Sequence, residues 1–508
     1  MARSLAKSGA FSSLYVMFGS VAAFVSTLIV SNGVGEAGAG AFFSVMAFFA
    51  IATSLSVFGA DTGLVRTVSA QRAVGRYSAL PQLLRFAFGP ATVIASVLAV
   101  GAVVVALPGV TPTLDADVRA AVLVSAPFVV VAAWMTLCFG ALRGLGHTVE
   151  FTFLQSVLLP TLRIVGVLLA AWLSGVVFSL ALAWSVPILV VFVISVFWVG
   201  KYLPTGPDLP TCQAKHLTVD QVPPSAVAEP ESAKSFWAFS SARGVSAIVE
   251  AVLEWIDVLL VGLFLGPAAS GIYGAVNRCV RVGAMVEHTA RVVTGPDISA
   301  AIATGDSARA RQIFVAATRI LIAIGWPFFI TLAAFGPVLL SFFGPGFTQG
   351  APLFYIIGAA MLVQMAAGGV QSVLLMSGRA RWQLYNKLSA LAVALTLNLT
   401  LVPLLGMPGA ALAWAAAVLT DCGLATAQVY GKLGIRPHPT EVLPVIALAA
   451  GVPVVGAVII LMLAGYTLLA LGIYLCTVVP VYLVLIYRFR RAIGLEKLIN
   501  SITRKLRR

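Results

Sequence analysis

The chain has 508 residues, 60% of them hydrophobic and only 10% charged, with a mean hydropathy of +1.02 and a formal net charge of +14. So little polar surface cannot coat a water-soluble domain, which makes lipid the solvent for most of the chain. The basic excess sits mainly in short loops between apolar runs, where it sets topology, and a nucleic-acid partner is not needed to explain it.

Runs of about 20 apolar residues suffice to span a bilayer. Fourteen occur, near residues 12–31, 40–62, 86–107, 120–142, 151–174, 176–200, 238–265, 271–294, 312–342, 352–377, 383–405, 408–430, 442–464 and 466–487. Arg3 and Lys7 precede the first, but its apolar part is longer than a signal h-region and more spans follow at once, so it reads as a retained helix. Six spans precede and eight follow a polar segment, Pro204 to Ser235, whose six prolines exclude regular helix. The expected organisation is a first lobe at 1–203, a cytoplasmic linker at 204–235, a second lobe at 236–431, two additional helices at 432–487 and a basic tail at 488–508.

With the N-terminus inside, the inner loops hold Arg66, Arg72, Arg143, Lys201, Arg311, Arg379 and Lys432 among others, whereas the outer loops offer Arg119 beside Glu36, Asp115 and Asp117. That asymmetry predicts cytoplasmic termini. From Tyr487 to Arg508 the chain carries eight basic residues, with Leu495, Leu498, Ile499, Ile502 and Leu506 at helical spacing, a pattern suited to the inner leaflet or to a solvated tail that assists topology. The five cysteines form no CxxC pair, so neither a disulfide framework nor a zinc site is expected.

An internal repeat shows in three places. Gly40-Ala41-Phe42 recurs as Gly271-Ile272-Tyr273, Gly75 as Gly305 and Gly146 as Gly378, at offsets of 231, 230 and 232. An even number of spans between equivalent points makes these parallel repeats.

Charges inside spans mark the candidate site, because each costs about 2.5 to 3.5 kcal/mol to insert. Span seven carries Arg243, Glu250, Glu254 and Asp257, which helical geometry places within a sector of about 60°. Span eight offers Asn277, Arg278, Arg281, Glu287, His288 and Arg291, and Arg163 lies midway along span five. Two readings stand: the charges pair to hold the lobe together, or they line a wet cavity. In the second, Arg281, Arg278, Arg243, Arg163 and Asn277 hold an anionic head group, since the guanidinium fork fits diphosphate. Glu250, Glu254 and Asp257, and more weakly Asp61 and Asp421, would bind a coupling cation or proton or balance the cavity charge; no metal or other cofactor is expected.

The stretch Asn398-Leu-Thr-Leu-Val-Pro403-Leu-Leu-Gly406-Met-Pro-Gly409-Ala410-Ala411 resembles the late helices of Wzx-type polysaccharide flippases of the MOP exporter superfamily. Leu260 to Gly266 with Gly271-Ile-Tyr273, Phe58-Gly59 with Gly63-Leu64 and Arg66, and Leu340 to Phe347 resemble other junctions of that family. The resemblance implies an all-α polytopic membrane protein of about 14 transmembrane helices, with two parallel six-helix lobes in a V-shaped arrangement plus two C-terminal helices. It also implies a bacterial plasma-membrane location and export, by alternating access, of an undecaprenyl-diphosphate-linked oligosaccharide. Partners would be that polyprenyl-diphosphate-linked glycan, membrane lipid and polysaccharide polymerase or ligase machinery. Two alternatives are a lipid II flippase, whose arginine-rich first helix is missing because span one holds no Arg, and a cation-coupled drug antiporter. An enzyme is disfavoured: the outer loops are short, and neither GxxxxGK[ST] nor HExxH occurs.

Overall fold

In a computed structural model of the chain the described residues are 2–73, 79–111, 114–203, 232–304, 306–377 and 379–490, with side-chain detail in the first helix starting at residue 14. Most of the expected linker, the tail beyond Arg490 and the repeat glycines Gly75, Gly305 and Gly378 lie outside the described residues.

The described residues form helices and no strand. In the first part of the chain these are α1 (Ala2–Val57), α2 (Ala60–Ala73), α3 (Leu80–Val105), α4 (Ala116–Ser125), α5 (Phe128–Gly144), α6 (Thr148–Phe153), α7 (Leu159–Leu173) and α8 (Val177–Tyr202). There follow α9 (Ala233–Leu265), α10 (Pro267–Ala303), α11 (Ser307–Ala334), α12 (Gly336–Ser341), α13 (Leu353–Ala367), α14 (Val370–Met376), α15 (Ala380–Leu405), α16 (Met407–Lys432), α17 (Pro439–Ala464) and α18 (Leu468–Arg488). Among the described residues ten helices are long and apolar enough to cross a membrane, and the pair α13–α14, bent by 47°, makes an eleventh. The chain is an all-α, multi-pass membrane protein.

The difference from the expected runs has a physical cause. One helix, α1, carries two runs through a break at Gly35 (φ 68, ψ −169), a conformation that an L side chain resists. The 33-residue α9 and 37-residue α10 cover two more runs, but their clustered charges remove them from the apolar set.

Two compact units divide the chain at Leu259/Leu260, inside α9. In the first, α5 is the central element and packs on α2, α3 and α8. Lipid tails are as apolar as leucine, so burial alone does not drive helices together, and close approach by small residues does. Ala132, Ala133, Gly140, Ala141 and Gly144 of α5 are buried accordingly. A methyl on Gly140 would stand 2.6 Å from the Asp61 carbonyl oxygen. In the second unit α16 lies along α15 through Gly409, Ala410, Ala411 and Ala413, all buried. The additional helices α17 and α18 dock on α11: Tyr482 Oη donates to the Ala323 carbonyl at 2.6 Å and Thr331 Oγ1 to Tyr474 Oη at 3.0 Å. The start of α17 is tied to α11 by Arg311 to the Glu441 carboxylate and by Arg319 Nε to the Glu441 carbonyl at 2.8 Å.

The repeat is visible in the backbone. Gly35 and Gly266 both break helices with positive φ (68 and 87), and Gly175 and Gly406 do the same (60 and 68); each pair stands 231 positions apart, the spacing found in the sequence.

Candidate functional site

Pro160 has no N–H to give the Ser156 carbonyl, and just before it the helix opens into a π turn over Leu154–Leu158, in which Leu159 N–H reaches back to the Leu154 carbonyl. The Ser156 carbonyl faces α1 at Gly19, where a methyl would stand only 2.7 Å away. One turn beyond, Arg163 projects onto α8. Its guanidinium lies over the Trp184 ring, 3.8 Å from the centroid, and Nε donates to the Trp184 carbonyl at 3.2 Å. Trp184 is itself fixed edge-on by Phe49 and Phe42. Among the described residues no carboxylate pairs with Arg163, so its charge is moderated by one carbonyl and one π face.

Asp61 sits elsewhere in the same unit. Arg143 Nη2 bonds its carboxylate at 3.0 Å, and the same guanidinium covers the Phe151 ring at 4.9 Å. This is a local ion pair between α2 and α5.

Along α9, Arg243 and Glu250 approach to 3.9 Å with both side chains about half exposed. Glu254 is exposed, whereas Asp257 is 2% exposed and accepts from Val258 N at 2.8 Å. On α10, Asn277 is buried and Arg278 and Arg281 are half-buried. Glu287 accepts from Gln364 Nε2 of α13 at 2.7 Å. The side chains of His288 and Arg291 lie outside the described residues.

Two pairs lie between α15 and α16, one of them holding Asp421, a weaker coupling candidate from the sequence. Lys387 Nζ lies 3.9 Å from Asp421 Oδ2, and Asn386 and Gln428 exchange bonds of 2.9 and 2.8 Å. A signal existed for both, and for Arg163 with Trp184. Each pair stands at nearly matching distances either side of a tight turn, at Ser174–Val176 or at Gly406, as antiparallel neighbours require.

An apolar cavity of about 740 Å³ lies between α17 and α18, lined by Leu448, Val452, Val455, Val478, Val481 and Leu485 among others. Gly451 and Gly456 leave its α17 wall low.

The model of the polysaccharide biosynthesis protein family matches residues 5–301. The chain belongs to that family. No curated protein matches the sequence of this family member. Its fold is that of the MOP superfamily transporters. The lipid II flippase MurJ in an inward closed conformation superposes with a TM-score of 0.68 at 11% identity, over 95% of this chain and 99% of that one. An inward-facing multidrug resistance MATE family transporter gives 0.59 at 16%, over 82% and 94%. A MOP superfamily transporter from Pyrococcus furiosus gives 0.54 at 15%, over 84% and 95%.

Proposed function

We propose that this chain is a flippase that carries a polyprenyl-diphosphate-linked oligosaccharide from the cytoplasmic to the outer leaflet of a bacterial plasma membrane by alternating access. The observation that carries the reading is Arg163, a half-buried guanidinium held by Trp184 with no carboxylate against it among the described residues, a positive charge that suits an anionic head group. Arg278, Arg281, Arg243 and Asn277 are the further candidates for contact with a diphosphate. Glu250, Glu254 and Asp257 serve a coupling cation or proton, and Asp61, tied to Arg143, balances charge locally. The cavity between α17 and α18 has the aliphatic lining that a polyprenyl chain needs. Both termini face the cytoplasm on the loop-charge argument, and a polysaccharide polymerase or ligase would take over the product.

Reconstitution into liposomes with a short polyprenyl-diphosphate oligosaccharide tests this. The protein should expose the glycan to a membrane-impermeant glycosidase, and Arg281→Ala should slow the process at least tenfold with insertion unchanged. Lipid II moved in its place would favour the MurJ-like reading. Movement of cationic drugs alone would overturn both.

A further inference from the structure

At the basic end of the first unit the chain passes from α1 to α2 through an elbow at Phe58 (φ 46) and Gly59 (φ 76). Phe58 is the one non-glycine residue with positive φ among the described residues, a left-handed conformation that a bulky side chain resists. What holds it there is α9. A methyl on Gly59 would overlap the Ser240 carbonyl and come within 2.5 Å of Gly244 N; one on Gly244 would overlap the Phe58 carbonyl; one on Gly63 would overlap the Ser240 hydroxyl. Gly59 and Gly244 thus bring two backbones together, and Gly63 seats the Ser240 hydroxyl and the Phe236 ring beside them. Around this contact Phe236 is fully buried, Trp237 Nε1 donates to the Phe86 carbonyl at 3.2 Å, and the Arg66 guanidinium lies 4.3 Å from the Phe239 ring centroid. Among the described residues the buried Ser240 hydroxyl has no hydrogen-bond partner.

We infer that the Phe58–Gly59 elbow and the Ser240–Gly244 stretch of α9 form a backbone latch that parts and re-forms during transport. Three observations point to this. Where Gly59 crosses Gly244, backbone meets backbone and separates without unlocking interdigitated side chains, unlike a leucine seam. The latched state also stores two costs, the left-handed Phe58 and the orphaned Ser240 hydroxyl, and release relieves both: the elbow can relax, and the hydroxyl can bond to its own helix or to water. Finally, the elbow is absent from the repeat. Positions 289 and 290, 231 residues after Phe58 and Gly59, lie in uninterrupted helix, so the feature is an addition to the shared scaffold. Because α9 runs on from the latch past Glu250, Glu254 and Asp257 into the second unit at Leu260, parting the latch frees the helix that bears those carboxylates. The inference rests on the transporter reading but on no particular cargo.

Thiol chemistry in native membranes tests it. In a background without native cysteines, Ser240→Cys is completely buried while latched and Ala242→Cys, on the exposed side of the same turn, is the control. Maleimide should modify Ala242→Cys at once and Ser240→Cys at least tenfold more slowly yet to completion, since the resting protein samples the open state. Gly244→Ala, whose methyl would overlap the Phe58 carbonyl, should raise the Ser240→Cys rate to that of Ala242→Cys. Equal labelling rates at 240 and 242 without that substitution, or no acceleration by it, would show that the contact is absent. A Ser240→Cys thiol that never reacts in membranes that transport would show a permanent joint and overturn the latch. A wrong cargo assignment would leave all of these rates unchanged.

Discussion

The two units share a backbone plan and differ in chemistry. Left-handed glycines fall at Gly35 and Gly175 in one and at Gly266 and Gly406 in the other, at a constant separation of 231. Yet the positions that correspond to Arg163 and Trp184 hold Ala394 and Ala415. The second unit instead pairs polar groups between α15 and α16, Lys387 with Asp421 and Asn386 with Gln428. Duplicated elbows set where helices turn, and side chains on the faces between them are free to diverge. Among the described residues the first unit keeps a cation that no carboxylate matches; in the second, Lys387, seven residues before the position that corresponds to Arg163, is spent on a carboxylate.

That contrast predicts opposite phenotypes for removing a positive charge. Arg163→Ala should lower transport about a hundredfold, the equivalent of a charge-assisted bond of about 3 kcal/mol, with little change in thermal unfolding. Lys387→Met should lower the unfolding midpoint and reduce transport only in proportion to the folded protein lost. Initial rates and melting curves on the same detergent preparations separate the two. If Arg163→Ala melts early and Lys387→Met is inactive but stable, the roles of the units are reversed.

A second test concerns what the Lys387–Asp421 pair contributes. At 3.9 Å, with side chains about a fifth exposed, it lies between a surface pair and a fully buried one. Asp421→Leu alone leaves an ammonium beside apolar helices and should cost about 2 kcal/mol, whereas Lys387→Met with Asp421→Leu should recover most of it. A double variant as unstable as the sum of the singles would mean that the two charges act on other partners.

Much of this was legible in the sequence, and the reasons differ by feature. Hydrophobic length located helices well, because a bilayer admits few alternatives for an apolar run. Offsets between loop glycines carried the repeat, since a positive φ leaves few residues to choose from. The charged face of span seven was readable from spacing, but its burial was not: Asp257 is buried and Glu254 exposed on the same stripe, which neighbouring helices decide. Pairings across turns follow from nearly matching distances either side of each turn. The elbow at Phe58 was out of reach. Nothing in Phe-Gly announces that a glycine some 185 positions later makes room for it.

The smallest effect gives the cleanest check on the shared plan. An added methyl would meet nothing within 4 Å at Gly35 or at Gly266, so an alanine at either position is penalised by φ alone. Gly35→Ala and Gly266→Ala should therefore each cost about 1 to 2 kcal/mol, and the two should add, being far apart in the chain and without shared neighbours. Equal shifts in unfolding midpoint would mark the two elbows as copies of one device. A loss at one site and none at the other would mean that the matching dihedrals do different jobs, and the equivalence of the units would then stop at their helix order.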